Sequence, residues 1–138
     1  MTNKIIPREY YKMFILAGKS HFIAYCSLTN NKLHFFVRKR KTSKDMYNIY
    51  IWNDGWYHVA CYFDTTKIVH VYTSSKRYRN AINAVFEFEF APDWLALEHT
   101  DRCPRCGRKI TNSHYGFGEE CWKKTFEQIK LEGINESN

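Results

Sequence analysis

An α+β fold is predicted, built on an antiparallel sheet of about five strands with one helix packed against it and a cysteine-bearing module at the C-terminal end. Three observations carry this. Apolar residues alternate with period two through the first half of the 138-residue chain. The period lengthens to three and four residues after Ser75. Beyond His99 both patterns give way to closely spaced cysteines.

The strands come first. In His21 to Leu28 one face reads Phe22, Ala24, Cys26, Leu28 and the other Ile23, Tyr25, Ser27, an aromatic and β-favouring run. Thr29, Asn30, Asn31 and Lys32 read as a turn. Leu33 to Lys41 makes a second strand that starts apolar and ends basic, and Met46 to Trp52 a third. Asn53-Asp54-Gly55 is the strongest hairpin signal in the chain. Trp56 to Phe63 and Ile68 to Tyr72, separated by Asp64, Thr65 and Thr66, complete a meander.

Ser74 or Ser75 can cap a helix whose Tyr78, Ala81, Ile82, Val85 and Phe86 form one apolar stripe. Pro92 ends it at the latest, and the alternation of Glu87, Phe88, Glu89 and Phe90 favours an earlier stop. A second helix is predicted from Gly118, with Cys121, Trp122, Thr125, Phe126 and Ile129 on it, acidic residues in its first turn and Gly133 as its stop.

Composition narrows the function classes. Apolar residues make up 44% of the chain and aromatics 17%, which supports a packed core and excludes wholesale disorder. No apolar run approaches the roughly 18 residues of a bilayer span, and the N-terminus lacks a signal-peptide core, so an intracellular protein without a membrane partner is expected. Five cysteines, an odd number with three clustered, fit reduced thiols and a metal better than a disulfide framework. The formal charge is +7, and it is concentrated in two groups: Arg38, Lys39, Arg40, Lys41, Lys44, and Arg102, Arg105, Arg108, Lys109. Such groups suit phosphate or an acidic protein surface, and Tyr47, Tyr50, Trp52 and Trp56 are available beside the first for stacking. A solvated edge that blocks sheet-to-sheet pairing is the plainer reading of that run.

The chemistry-bearing stretch is His99 to Cys121. Cys103-Pro-Arg-Cys106-Gly is a knuckle in which a tight turn sets two thiolates on one cation, and Cys121 follows fifteen residues later at the predicted helix start. Three thiolates with His99 or His114 would make a closed tetrahedral Zn²⁺ site. The domain division that follows places a sheet-and-helix domain at 1–95 and a zinc-binding module with its helix at 96–138. Cys26 and Cys61 lie inside strands and read as small packing residues, and His58 and His70 as ordinary strand histidines. A closed site leaves no position for water. No nucleophile elbow, P-loop, dinucleotide glycine pattern or H-x-E pairing occurs, so no enzyme is expected.

Cys103-x2-Cys106-Gly-Arg-Lys-Ile-Thr, followed by Gly116-Phe117-Gly118-x2-Cys121-Trp122, resembles the C-terminal motif of a family of small phage and prophage zinc-motif proteins. Phe14-Ile15-Leu16-Ala17-Gly18 and the aromatic strand after it are similar to that family's N-terminal signature. The resemblance implies a structural Zn²⁺ held by His99, Cys103, Cys106 and Cys121, since a histidine commonly stands four positions before the first cysteine there. The loop after Cys106 departs from the family pattern: it is shorter, lacks the usual proline and contains His114, which stays as the alternative fourth ligand. The resemblance further implies a non-enzymatic protein acting in the cytoplasm of a bacterial host, such as an anti-CRISPR inhibitor that binds a Cas9-type nuclease and blocks guide or target loading. The alternative is a nucleic-acid-binding accessory protein that uses the two basic groups.

Overall fold

The computed structural model describes residues 4–43, 45–109, 117–118 and 120–124; Lys44, His114 and residues 125–133 of the expected C-terminal helix lie outside them. A 3-10 turn (Arg8–Tyr10) leads into α1 (Tyr11–Ile15). The strands β1 (Lys19–Cys26), β2 (Asn31–Lys39), β3 (Met46–Trp52), β4 (Trp56–Phe63) and β5 (Ile68–Val71) follow, then α2 (Lys76–Val85) and β6 (Leu95–His99). All six strands form one antiparallel sheet in the order β5-β4-β3-β2-β1-β6. The sheet is thus one strand wider than the alternation predicts, because Leu95–His99 returns across the molecule to pair with β1, Cys26 opposite Leu95 and Phe22 opposite His99.

The β1–β2 and β3–β4 turns use residues that tolerate positive φ. Asn30 sits at φ 57°, and Asp54 and Gly55 at 54° and 149°. The β1–β2 turn starts earlier than expected, so Leu28 leaves the strand and stands exposed in the turn rather than on the core face. In α2, Ser75 is the cap: its Oγ accepts from the Tyr78 N–H at 3.3 Å. Ser75→Ala is expected to cost about 1 kcal/mol of stability, read as a shift of the urea midpoint at constant slope. The helix stops at Val85, and a 3-10 turn (Phe88–Phe90) takes up the residues that alternate before Pro92.

One face of the sheet is covered. Phe22 and Phe35 stack across β1 and β2 with ring centroids 5.2 Å apart, and Phe14 of α1 meets Phe22 edge-on. Ile82 and Val85 of α2 are fully buried in the same core as Val37, Ile49 and Ile51, and Tyr62 packs its ring against Phe86. Residues 4–6 run along the free edge of β6: Ile6 N–H donates to Leu97 O, and His99 N–H to Lys4 O. The Lys4 ammonium then reaches the Asp101 carboxylate at 2.9 Å, closing that edge with charge.

Register in the middle of the sheet breaks once. Ile49 faces Ala60 while Tyr50 faces His58, so Val59 is an extra residue in β4. The bulge reverses the alternation along the strand: Trp56 and His58 lie on the face away from the helices, whereas Ala60 and Tyr62 enter the core. Among the described residues no helix is long and apolar enough to cross a membrane.

Candidate metal centre

The knuckle begins at Cys103, four positions after the end of β6. Asp101, at φ 61°, turns the chain, and Arg102 bridges to Lys109 across the knuckle. Gly107 N–H donates to Cys103 O at 2.8 Å and Cys103 N–H to Arg108 O at 2.9 Å, so the backbone curls around the thiols. Gly107 stands at φ 77°, where a side chain would be strained and its Cβ would press the Lys19 stem at 3.4 Å. The four residues 121–124, together with 120, are helical, and Trp122 N–H donates to Gly118 O.

This arrangement gathers the sulfurs of Cys103, Cys106 and Cys121 within 4.8 Å of one another, a group that could hold a metal ion. Cys103 is fully buried, and the other two are half-buried. Burial works to raise the Cys103 thiol, but backbone N–H groups of Gly118, Cys106 and Arg105 outweigh it and hold the thiol below its usual range. Burial first, and then the neighbouring Cys103 sulfur, push Cys121 up to about 12. One sulfur of the cluster is therefore prepared for negative charge and another resists it until a cation arrives to share.

His99 stands outside this thiol group. It ends β6 at 4% exposure; its Nδ1 is 3.5 Å from the Asp101 N–H and 3.7 Å from the Asp101 carboxylate. His114 falls outside the described residues. Cys26 and Cys61 lie away from the cluster, Cys61 buried in β4 and Cys26 half-buried at the end of β1.

The cysteine segment is docked on the sheet. Phe117 is fully buried and meets Phe14 edge-on at 5.6 Å, and Trp122, next to Cys121, packs its ring between Phe117 and Tyr10. Lys19 N–H donates to Pro104 O at 2.7 Å inside the knuckle, and Lys39 N–H donates to Gly18 O at 2.9 Å. The Gly18-Lys19 step thereby ties the basic end of β2 to the knuckle. Arg38, Lys39, Arg40 and Lys41 are exposed beyond this junction, as are Arg102, Arg105, Arg108 and Lys109. The sequence left open whether these groups meet; the backbone hydrogen bond from Lys19 to Pro104, residues distant in the chain, together with that from Lys39 to Gly18, brings them to one end of the sheet. The signal that would have found this, a strand returning to β1, has no counterpart in local periodicity.

The chain is thus an α+β protein with a three-thiol cluster beside a basic sheet end. No family model matches it, and neither the curated proteins nor the solved structures hold a match.

Proposed function

We propose that this chain is a non-enzymatic nucleic-acid-binding protein, in which a structural Zn²⁺ in the thiol cluster braces a basic surface that contacts phosphate. The observation that carries the reading is the double tie at Gly18-Lys19, which places the basic run of β2 and the basic knuckle side by side. Thiolates are soft ligands that favour Zn²⁺, with sulfur at about 2.3 Å in a tetrahedron. His99 is the fourth ligand this reading assigns, which would require its imidazole to turn toward the thiol group it now stands outside; His114 is the alternative. Three thiolates and an imidazole close the coordination sphere, so the ion folds the knuckle and activates no water.

Titration of the zinc-loaded protein with DNA or RNA at two salt concentrations tests the reading. Affinity is expected to fall with salt at a log–log slope of about −0.7 to −0.9 per phosphate contacted, and Arg38→Glu or Arg105→Glu to make the slope shallower. Absent or salt-insensitive binding overturns it.

A second reading is favoured by the same compact cationic end: a protein-directed inhibitor of anti-CRISPR type that occupies the guide or target channel of a Cas9-type nuclease. Binding to the nuclease in the absence of nucleic acid, together with protection of target DNA from cleavage, would replace the first reading by this one.

A further inference from the structure

The face of the sheet opposite the helices carries a continuous aromatic row. The register aligns His21 with Phe36, Phe36 with Tyr50, and Tyr50 with His58 across β1 to β4. The rings follow suit. His21 lies flat on Phe36 with centroids 4.2 Å apart and planes at 10°, Phe36 on Tyr50 at 5.7 Å, and Tyr50 on His58 at 5.0 Å. Tyr72, just past β5, meets His58 edge-on. Trp56 leans on both His21 and Phe36, and Trp52 packs edge-on against Trp56. Trp52, Trp56 and Tyr72 are 48%, 41% and 56% exposed, and α1 and α2 pack on the other face. Isolated exposed aromatics are ordinary, but a contiguous patch this wide marks an interaction surface.

Charge identifies the occupant. One step along the strands from the aromatic row, Lys19 faces Arg38 on the same side of the sheet. Arg40 lies beside Met46, its guanidinium 2.8 Å from the Met46 sulfur, and its field reaches Tyr72 and Cys61. Arg102, from the knuckle, is close enough to His21 to help hold that imidazole below its usual range, after burial. A basic rail thus runs along one side of the row. Glu98, the acidic residue of β6 on this face, is paired with Lys32 at 3.8 Å. Exposed rings at Trp52, Trp56 and Tyr72 beside a line of cations suit a ligand that offers unpaired bases and a phosphate backbone together. A duplex keeps its base faces stacked inside and offers only base edges and the backbone.

We infer that this aromatic face is a base-stacking platform for single-stranded nucleic acid, with bases seated on the exposed rings of Trp56, Trp52 and Tyr72, which the stacked row beneath supports, and phosphates held along Lys19, Arg38 and Arg40. The inference rests on the nucleic-acid reading above and adds to it the ligand's strandedness and the residues that read it. The β4 bulge at Val59 is what turns Trp56 and His58 out to this face.

Fluorescence anisotropy on the full zinc-loaded chain tests it, with end-labelled oligo(dT), oligo(U) and a DNA duplex, each about 12 units long to span one platform. Both single strands are expected to bind at least about tenfold more tightly than the duplex at the same salt. Trp56→Ala should weaken single-strand binding by about 5- to 150-fold and leave duplex binding unchanged, since loss of one stacked base is read there. Trp56 is surface-exposed, and unchanged zinc content and melting temperature of the variant show that it folds. Arg38→Glu should weaken all three ligands. A DNA-over-RNA or RNA-over-DNA preference assigns the natural strand and upholds the platform. Equal affinity for duplex and single strand with no effect of Trp56→Ala overturns the platform while leaving phosphate contact standing. Binding to none of the three overturns both.

Discussion

Cys103→Ser is expected to strip the chain of its metal, from near one ion per molecule to below about a tenth, measured by elemental analysis after dialysis against buffer without added zinc. Structural zinc contributes on the order of 10 kcal/mol to the fold of the segment that holds it. Cys103 is the fully buried member of the cluster and lies in the hydrophobic core with Phe117, so serine would also leave a hydroxyl without water there. Loss of the ion should unfold the segment from residue 99 onward, seen as loss of amide protection at Cys103 and Gly107, whose N–H groups are bonded within the knuckle. Cys26→Ala, distant from the cluster, is expected to keep the metal at full stoichiometry. A Cys103→Ser protein that still carries a full complement of ion would remove the thiol cluster as the binding site.

Phe14→Ala is the substitution expected to cost most in the core, about 3–5 kcal/mol. Phe14 is fully buried and is the contact that joins two parts of the molecule: its ring meets Phe22 of the sheet at 6.4 Å and Phe117 of the cysteine segment at 5.6 Å. Truncation should therefore lower urea stability and weaken metal retention together, because the knuckle loses the surface it docks on. Trp52→Ala, at an exposed position on the other face, is expected to change stability by no more than about 0.5 kcal/mol. Equal effects from these two variants would mean that the core does not run through Phe14.

Much of the sheet was legible because its signals are local. The runs Met46 to Trp52 and Trp56 to Phe63 occur as read, and Asn53-Asp54-Gly55 makes the turn between them through positive φ at Asp54 and Gly55. The stripe of α2 and its Ser75 cap follow from spacing along a single helix. The short α1 was not legible: five residues give too few turns for a period to show, and Phe14-Ile15-Leu16 reads equally as strand or helix. Nor was β6, whose Leu95 to His99 is too short to stand out and gains its partner only by pairing with β1 about 70 residues earlier. Tyr47, a stacking candidate on the sequence, is 5% exposed in the core, while Tyr50, Trp52 and Trp56 lie on the outer face.

The bulge at Val59 shows the limit most plainly. Strict alternation places His58, Ala60 and Tyr62 on one face, yet the extra residue sends His58 outward and the other two inward. Nothing in the order of residues 56 to 63 announces this, since a bulge is a property of the pairing with the neighbouring strand, where the register shifts between Ile49 and Tyr50.

By itself, the sequence determined the strands, their turns, the capped helix, and three cysteines spaced to close on one cation, because each depends on contacts among near neighbours in the chain. Tertiary structure alone decided that the knuckle docks at Lys19, that the two basic groups share one end, and that an aromatic row stays uncovered. Those outcomes depend on which distant segments find each other's apolar surface, and burial of that kind is a property of the whole packed chain rather than of any stretch of it.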